Sequence, residues 1–287
     1  LSGVAPAFTV ASGVDAAEWR MERMVATALD VEVRSPARLA VQVAPADPGA
    51  YDVKETVRIT LDGDEIRWNE LDAPHGGRLW VIDTPPGALR ITYEATLSGR
   101  APAPPVEVAD ELLYLRPSRY CESDRLIGFA SRQFHDITAP DDILAAVSSW
   151  VGTQLEYVTG SSGPTDGAVD TLLAGRGVCR DFAHLAVALL RAMEIPARMV
   201  AVYAPGLVPM DFHAVAEAFI DGAWYVVDGT LLAPRQSLVR IATGRDAADT
   251  SFLSSYLGAI TLDSMTVTAT VVGDLPRDEV TALVQLG

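Results

Sequence analysis

The sequence predicts an α+β protein: an N-terminal antiparallel β-sandwich, then a domain of helices packed on a second antiparallel sheet. Three observations carry this reading. Residues 1–110 break into short β-rich runs with turn residues between them, the pattern of a sandwich. Ala101-Pro-Ala-Pro-Pro105 reads as a stiff linker. Beyond it, apolar residues recur at helical spacing before strand-like runs return near residue 198. The expected domains are therefore 1–105 and 106–287, the second being the catalytic half.

In order, the β-rich runs are Glu18 to Val33, Leu39 to Val43, Glu55 to Leu61, Glu65 to Asn69, Leu79 to Asp83 and Leu89 to Leu97. Ala46-Asp-Pro-Gly49, Asp62-Gly63, Pro74-His-Gly-Gly77 and Pro85-Pro-Gly87 punctuate them as turns. Met21 to Leu29 also fits a helix, but its β-formers favour strand. Trp19, Trp68 and Trp80 read as core or sheet-surface aromatics.

The second half opens with a helix from Asp124 to Phe134, capped by Ser123 and striped by Leu126, Ile127, Ala130 and Phe134. Another starts at Pro140-Asp-Asp142 and carries Ile143, Val147, Trp150, Val151 and Leu155. A short helix, Ala168 to Ala174, leads through Gly175 and Gly177 to a helix from Cys179 to about Met193. Ile195-Pro196 ends that helix. Arg198 to Tyr203 begins a second sheet. His213 to Ile220 and Ala223 to Asp228 form a hairpin about Asp221-Gly222, a pair suited to a two-residue type I′ turn. Leu262 to Val272 reads as a last long strand.

Composition narrows the function. A net charge of −16 argues against nucleic acid and anionic membrane as partners, because both select a basic face. No run of 18 apolar residues suggests a membrane span. The opening residues have neither the basic n-region nor the apolar core of a signal peptide. Two cysteines, Cys121 and Cys179, are too few for a disulfide framework, so a reducing cytoplasm is the expected compartment.

The chemistry centres on Cys179. A cysteine in the first turn of a helix meets the partial positive charge of the helix N-terminus, which favours thiolate over thiol. The hairpin supplies a base. Counting outward from Ile220 opposite Ala223 sets Val215 opposite Asp228, and His213 shares the face of Val215. His213 and Asp228 are then diagonal neighbours, roughly 7–8 Å apart at the backbone and within side-chain reach. Cys179 would be the nucleophile, His213 the general base and acid, and Asp228 the group that orients His213. The Cys179 backbone N–H is a natural oxyanion donor. Tyr157 and Val178 are further oxyanion or cleft candidates. A zinc site from Cys179, Asp181 and His184 has poor ligand spacing, and no calcium-binding loop is visible, so no metal or other cofactor is expected. His75 and His135 read as surface residues. Glu217 is expected either near the cleft or paired with an arginine.

Several stretches together resemble a known family. They are Tyr114-Leu-Arg-Pro-Ser-Arg-Tyr-Cys-Glu-Ser-Asp-Arg-Leu126, Gly175-Arg-Gly-Val-Cys-Arg-Asp-Phe-Ala-His-Leu185, Ile195-Pro-Ala-Arg198, Asp211-Phe-His-Ala214, Trp224-Tyr-Val-Val-Asp-Gly-Thr230 and Ile241-Ala-Thr-Gly-Arg-Asp246. The chain resembles the transglutaminase-like superfamily of papain-like thiol enzymes, and within it the bacterial transglutaminase-like candidate cysteine proteases. The resemblance implies a papain-like core and sets the family's Cys–His–Asp triad on Cys179, His213 and Asp228. It also implies acyl transfer at an amide through a thioester, on a peptide, protein or small amide substrate. Hydrolysis is favoured, since water is the acceptor always present; an amine acceptor would make the protein a transglutaminase-type acyltransferase. A non-catalytic binding module with a vestigial site is the alternative from another class. Three positions depart from the family pattern: Val215 replaces an aromatic residue two after the histidine, Gly229 replaces proline after the aspartate, and Ala247 replaces tyrosine.

Overall fold

A computed structural model describes residues 9–10, 21–46, 52–101 and 106–286. Residues 102–105 of the expected linker lie outside it, as do Trp19 and residues 47–49 of the turn after Ala46.

Among the described residues, six strands of four or more residues come first: β1 (Glu22–Val33), β2 (Ala37–Val41), β3 (Asp52–Leu61), β4 (Asn69–Asp72), β5 (Arg78–Thr84) and β6 (Gly87–Ser98). Five helices follow: α1 (Val108–Leu113), α2 (Ser123–Gln133), α3 (Pro140–Gln154), α4 (Ala168–Ala174) and α5 (Cys179–Ala192). The chain closes with β7 (Ala197–Tyr203), β8 (Phe212–Ile220), β9 (Ala223–Val227), β10 (Val239–Gly244), α6 (Ala247–Thr250), β11 (Leu253–Tyr256) and β12 (Ile260–Val271). The three large sheets are antiparallel, and helices and sheets together make the expected α+β fold.

The ambiguous segment at 21–29 is strand. Val25, Thr27, Leu29, Val31 and Val33 are buried at alternate positions, a period of two that no helix provides. One sandwich sheet runs β12-β1-β6-β3 and ends in the two-residue strand Asp64–Glu65; the other runs β11-β2-β5-β4. Both therefore take an edge strand from beyond residue 250: β11 pairs with β2 and β12 with β1. The boundary at 105/106 marks where the chain first leaves the sandwich, not where the sandwich ends. Local patterning shows that 262–272 is a strand but says nothing of its partner: β1 pairs with β12 from 227 positions earlier in the sequence (Val33 with Ile260) to 248 (Arg23 with Val271).

The third sheet runs β9-β8-β7-β10. Helix α5 lies between this sheet and α2, α3 and α4. It is buried all round from Asp181 to Ala192, rather than along the single face that its Phe182, Leu185 and Leu189 stripe suggests. The sandwich core does not stop at the sandwich. Trp80, Tyr93 and Ile91 belong to one apolar cluster with Tyr203, Val239, Ile241 and Ala242 of the third sheet. The Tyr203 hydroxyl donates to the Val43 carbonyl at 2.7 Å and sits 2.7 Å from Thr27 Oγ1.

Candidate active site

Two glycines and an aspartate set the start of α5. Gly175 ends α4 at φ 64°, a left-handed conformation that glycine adopts without strain. Gly177 lies against Asp181, where a Cβ would come within 2.6 Å of the Asp181 Cβ. Asp181, three residues into the helix from Val178, accepts the Val178 N–H at 2.8 Å and the Ser162 hydroxyl at 2.8 Å. This is half of a capping box, and it fixes the loop in front of the thiol. Asp181 therefore has a structural role. Val178, an oxyanion or cleft candidate from the sequence, has its N–H committed to Asp181 and so not free to meet an oxyanion.

The two-residue strand Arg176–Gly177 pairs in parallel with Glu156–Tyr157, setting Gly177 opposite Tyr157. This bridge carries Tyr157 to Cys179, where its phenol faces the backbone N–H and the thiol of that residue. Burial, then the charge of the neighbouring sulfur, pushes the Tyr157 phenol up to about 12, so it stays a hydrogen-bond donor at neutral pH. Trp150, the other aromatic before the cysteine, packs edge-on against Phe129 and Phe134.

The β8–β9 hairpin has the counted register. Asp221 and Gly222 sit at φ 49° and 83°, as a type I′ turn requires. Ile220 opposes Ala223, and the ladder runs to Ala216 opposite Val227. Extending it by one pair sets Val215 against Asp228. His213 Nε2 lies 3.1 Å from Asp228 Oδ2, with the two side chains 0% and 1% exposed. The other carboxylate oxygen accepts the Thr230 N–H and hydroxyl at 2.8 and 2.7 Å. Thr230, two residues after the aspartate, holds Asp228 by a local turn of a kind that Asp-x-Thr spacing favours, and sequence reasoning did not single it out.

With Nε2 held by the carboxylate, the other ring nitrogen, Nδ1, is buried and has no hydrogen-bond partner among the described residues, leaving it available toward Cys179. Burial alone would lower the His213 pKa. The Asp228 carboxylate outweighs burial, the Cys179 thiol adds to it, and the imidazole is held well above its ordinary range. Burial works the other way on Asp228, but His213 and Thr230 overcome it and hold the carboxyl below its usual value. Cys121 is the contrast: it is fully buried, and burial pushes its thiol far up.

Cys179 and His213 open onto one cavity of about 440 Å³. Met199, Ala201, Ala214 and Ala247 contribute to its wall from the third sheet and α6, and Gln42 and Phe252 from the sandwich side. The departures from the family pattern separate here. Val215 is 1% exposed, packed among Val200, Val202 and Val226, and does not line the cavity. Ala247 does. Gly229 faces α3 so closely that a Cβ would lie 3.1 Å from the Gly152 nitrogen, and a Cβ on Gly152 would meet the Gly229 carbonyl at 2.5 Å. Gly229 thus serves the approach of a helix to the loop beyond Asp228.

The remaining titratable candidates are placed by pairing. Glu217, 0% exposed, takes the arginine alternative: it binds Arg198 at 2.7 Å and Arg240 at 2.6 Å. His75 is not a surface residue. Its side chain is 4% exposed, with Nε2 at 2.9 Å from the Tyr114 hydroxyl. Burial, then Arg198 and Arg240, lowers its pKa to about 4. His184 Nε2 accepts the Ala247 N–H at 3.1 Å while the ring stacks on Tyr120, and burial lowers its pKa to about 3. Neutral and engaged at this nitrogen, His184 positions the cavity wall at Ala247.

Residues 127–229 match the family model described as the transglutaminase-like superfamily. A crystal structure of a candidate cysteine protease from Cytophaga hutchinsonii superposes with a TM-score of 0.80 at 30% identity, covering 90% of this chain and 93% of that one. An uncharacterized protein from Mycobacterium leprae is 28% identical over 189 residues, 62% of this chain and 66%, just under two thirds, of its own length.

Proposed function

The chain belongs to the transglutaminase-like superfamily, and from that premise we propose that it catalyses cysteine-dependent acyl transfer at amide bonds, with Cys179 as nucleophile, His213 as general base and acid and Asp228 as the group that orients His213. The observation that carries this is the hairpin pairing. His213 Nε2 is held at 3.1 Å by a buried carboxylate, its Nδ1 has no hydrogen-bond partner among the described residues, and Cys179 shares the cavity with it.

The chemistry follows from these groups. His213 takes the proton of the Cys179 thiol, and its raised pKa favours the imidazolium that results. The sulfur attacks the amide carbonyl and a C–S bond forms. The carbonyl oxygen gains charge that hydrogen bonds donated by the Cys179 N–H and the Tyr157 hydroxyl can stabilise. As the C–N bond breaks, the imidazolium gives its proton to the leaving amine. His213, now neutral, takes a proton from an incoming water. The hydroxide adds to the thioester, the C–S bond breaks, and the acid product leaves with the imidazolium–thiolate pair restored. Asp228 holds one tautomer throughout and stabilises the imidazolium. Water is favoured over an amine as acceptor, because Cys179 is partly exposed and Tyr157 is 41% exposed at the mouth of the site.

The test compares the two thiols and then the product. Iodoacetamide should alkylate Cys179 stoichiometrically and much faster than Cys121, and His213→Ala should remove the difference. A Cys179 that reacts no faster than a free thiol, with no dependence on His213, overturns the reading. Mass spectrometry of products from a peptide mixture, with Cys179→Ala as control and glycine methyl ester as competing amine, then separates hydrolase from transferase. Free acids identify the first and amine adducts the second.

A further inference from the structure

The cavity that holds Cys179 has a wall more specific than an open cleft requires. Four of its positions, Ala201, Ala214, Ala247 and Ala248, end in a methyl group, and Met199, Ile241 and Phe252 supply larger apolar surface. Its volume of about 440 Å³ falls in the range of small-molecule sites. Of the polar groups at its edge, Arg180 Nε is buried without a partner among the described residues, while others are engaged. Arg180 Nη2 donates to the Gly163 carbonyl at 2.6 Å, and Gln42 Nε2 donates to the carbonyls of Asp249 and Ser251 at 3.1 and 3.2 Å. Among the described residues no carboxylate lines the cavity, so a cationic side chain finds no partner in its wall. A bulky uncharged group would bury apolar surface against several elements at once.

The sandwich takes part in this wall. Gln42 follows β2, and Phe252 and Ser254 lie at or in β11, which pairs with β2 in the second sandwich sheet. Phe252 stacks on Phe212, the residue before the histidine, with ring centroids 5.1 Å apart. The sandwich is thus positioned to act on substrate choice.

We propose that this cavity is the acyl-side specificity pocket, that it takes an aromatic or large aliphatic side chain on the acyl group transferred to Cys179, and that the sandwich supplies one wall of it. This rests on the reading of Cys179 as the nucleophile. Closure of the pocket is available at Ala247, which is half-buried and held by His184 at its backbone N–H rather than through its side chain.

N-acetyl amino acid p-nitrophenyl esters of glycine, leucine and phenylalanine provide the acyl donors. The expected result is a kcat/KM for the phenylalanine or leucine ester about 100-fold above that for glycine. Ala247→Phe should cut that ratio at least tenfold. Equal use of the three esters, or a ratio that Ala247→Phe leaves unchanged, overturns the proposal. Far-UV circular dichroism checks the variant's fold. If it fails to fold, Ala248→Phe, at an exposed position, replaces it under the same criterion. Calorimetry on Cys179→Ala separates the pocket from the chemistry. N-acetylphenylalanine amide should bind at least tenfold tighter than N-acetylglycine amide, and equal binding overturns the pocket. Ester turnover that survives Cys179→Ala overturns the catalytic reading and leaves the binding result standing.

Discussion

Two cysteines with opposite fates show how much a residue's place decides. Cys121 is sealed in the core, where burial makes its thiolate costly. Cys179 stands at the first turn of α5, partly exposed, with an imidazole on one side and a phenol on the other. In the proposed mechanism the residue that makes the difference useful is Asp228, acting through His213. Asp228→Asn keeps the side-chain shape but removes the charge, so it should lower kcat by about a hundredfold to ten-thousandfold. A loss confined to KM would rule out an orienting role. The same substitution has a pH signature in stability. The folded pKa of His213 lies above its unfolded value near 6.5, so its share is full below that value and is lost as pH rises through the folded pKa. The folded pKa of Asp228 lies below 3.8, so its share is present above that value and is lost as pH falls through the folded pKa. The stability gap between wild type and Asp228→Asn should therefore be widest between about pH 4 and 6.5 and shrink toward alkaline pH. Thermal melts of both proteins across pH 5 to 10 test this, and a gap that widens with pH would refute it.

The β8–β9 hairpin illustrates what one element can and cannot disclose. Its turn is encoded locally by Asp221-Gly222, and its register follows by counting, so His213 and Asp228 were legible as partners without any tertiary information. Its strand β8 also carries Glu217, whose fate depends on elements far away in sequence. The carboxylate binds Arg198 of β7 and Arg240 of β10, and Arg198 lies over the Trp224 ring at 3.9 Å. Two buried arginines thus share one fully buried carboxylate, with Arg198 also 3.8 Å from Asp110. Burial raises the Glu217 carboxyl, yet the two guanidiniums overcome it and hold it at about 2. Glu217→Ala leaves both guanidiniums without their carboxylate and should cost about 3–5 kcal/mol in urea unfolding, because a buried charge that loses its partner is not resolvated. A loss under 1 kcal/mol would mean that water or Asp110 replaces the carboxylate. The starts of α3, α4 and α5, the α4–α5 glycines and the hairpin were readable because each is a local solution to a backbone problem, whereas Ser123, read as the cap of α2, is its first residue and Glu122 stands at the cap. Glu217, His75, Thr230 and the cavity wall were less so or not at all. Burial of the first two and the wall itself are set by the packing of distant segments, and a polar residue looks the same in sequence whether solvated or paired.

At the scale of the molecule, the chain leaves the sandwich after β6, builds the helical layer and third sheet, and returns to add β11 and β12 to the sandwich edges. The apolar cluster under Trp80 and Tyr93 runs without a break into Tyr203, Val239 and Ile241. Arg198 of the third sheet approaches His75 of the β4–β5 loop, Nη1 to Nδ1, at 3.4 Å. A split at 105/106 would cut through this shared core. A chain beginning at residue 106 would carry β11 and β12 with no strands to pair with, and would expose Tyr203, Ile241 and Phe252 to water. Such a chain should fail to fold cooperatively and should lose the selective alkylation of Cys179. In the full chain, both parts should unfold together. Trp68 and Trp80 report on the sandwich, Trp150 on the helical layer and Trp224 on the third sheet. With Trp19 also replaced, keeping one pair while replacing the other with phenylalanine would assign fluorescence to each half. The two fluorescence midpoints in urea should coincide with each other and with far-UV circular dichroism. Separated midpoints, or a stable fragment from residue 106 with a reactive Cys179, would show that the shared core is not what holds the site together. The sandwich would then be a detachable module, and its contribution to the cavity wall incidental.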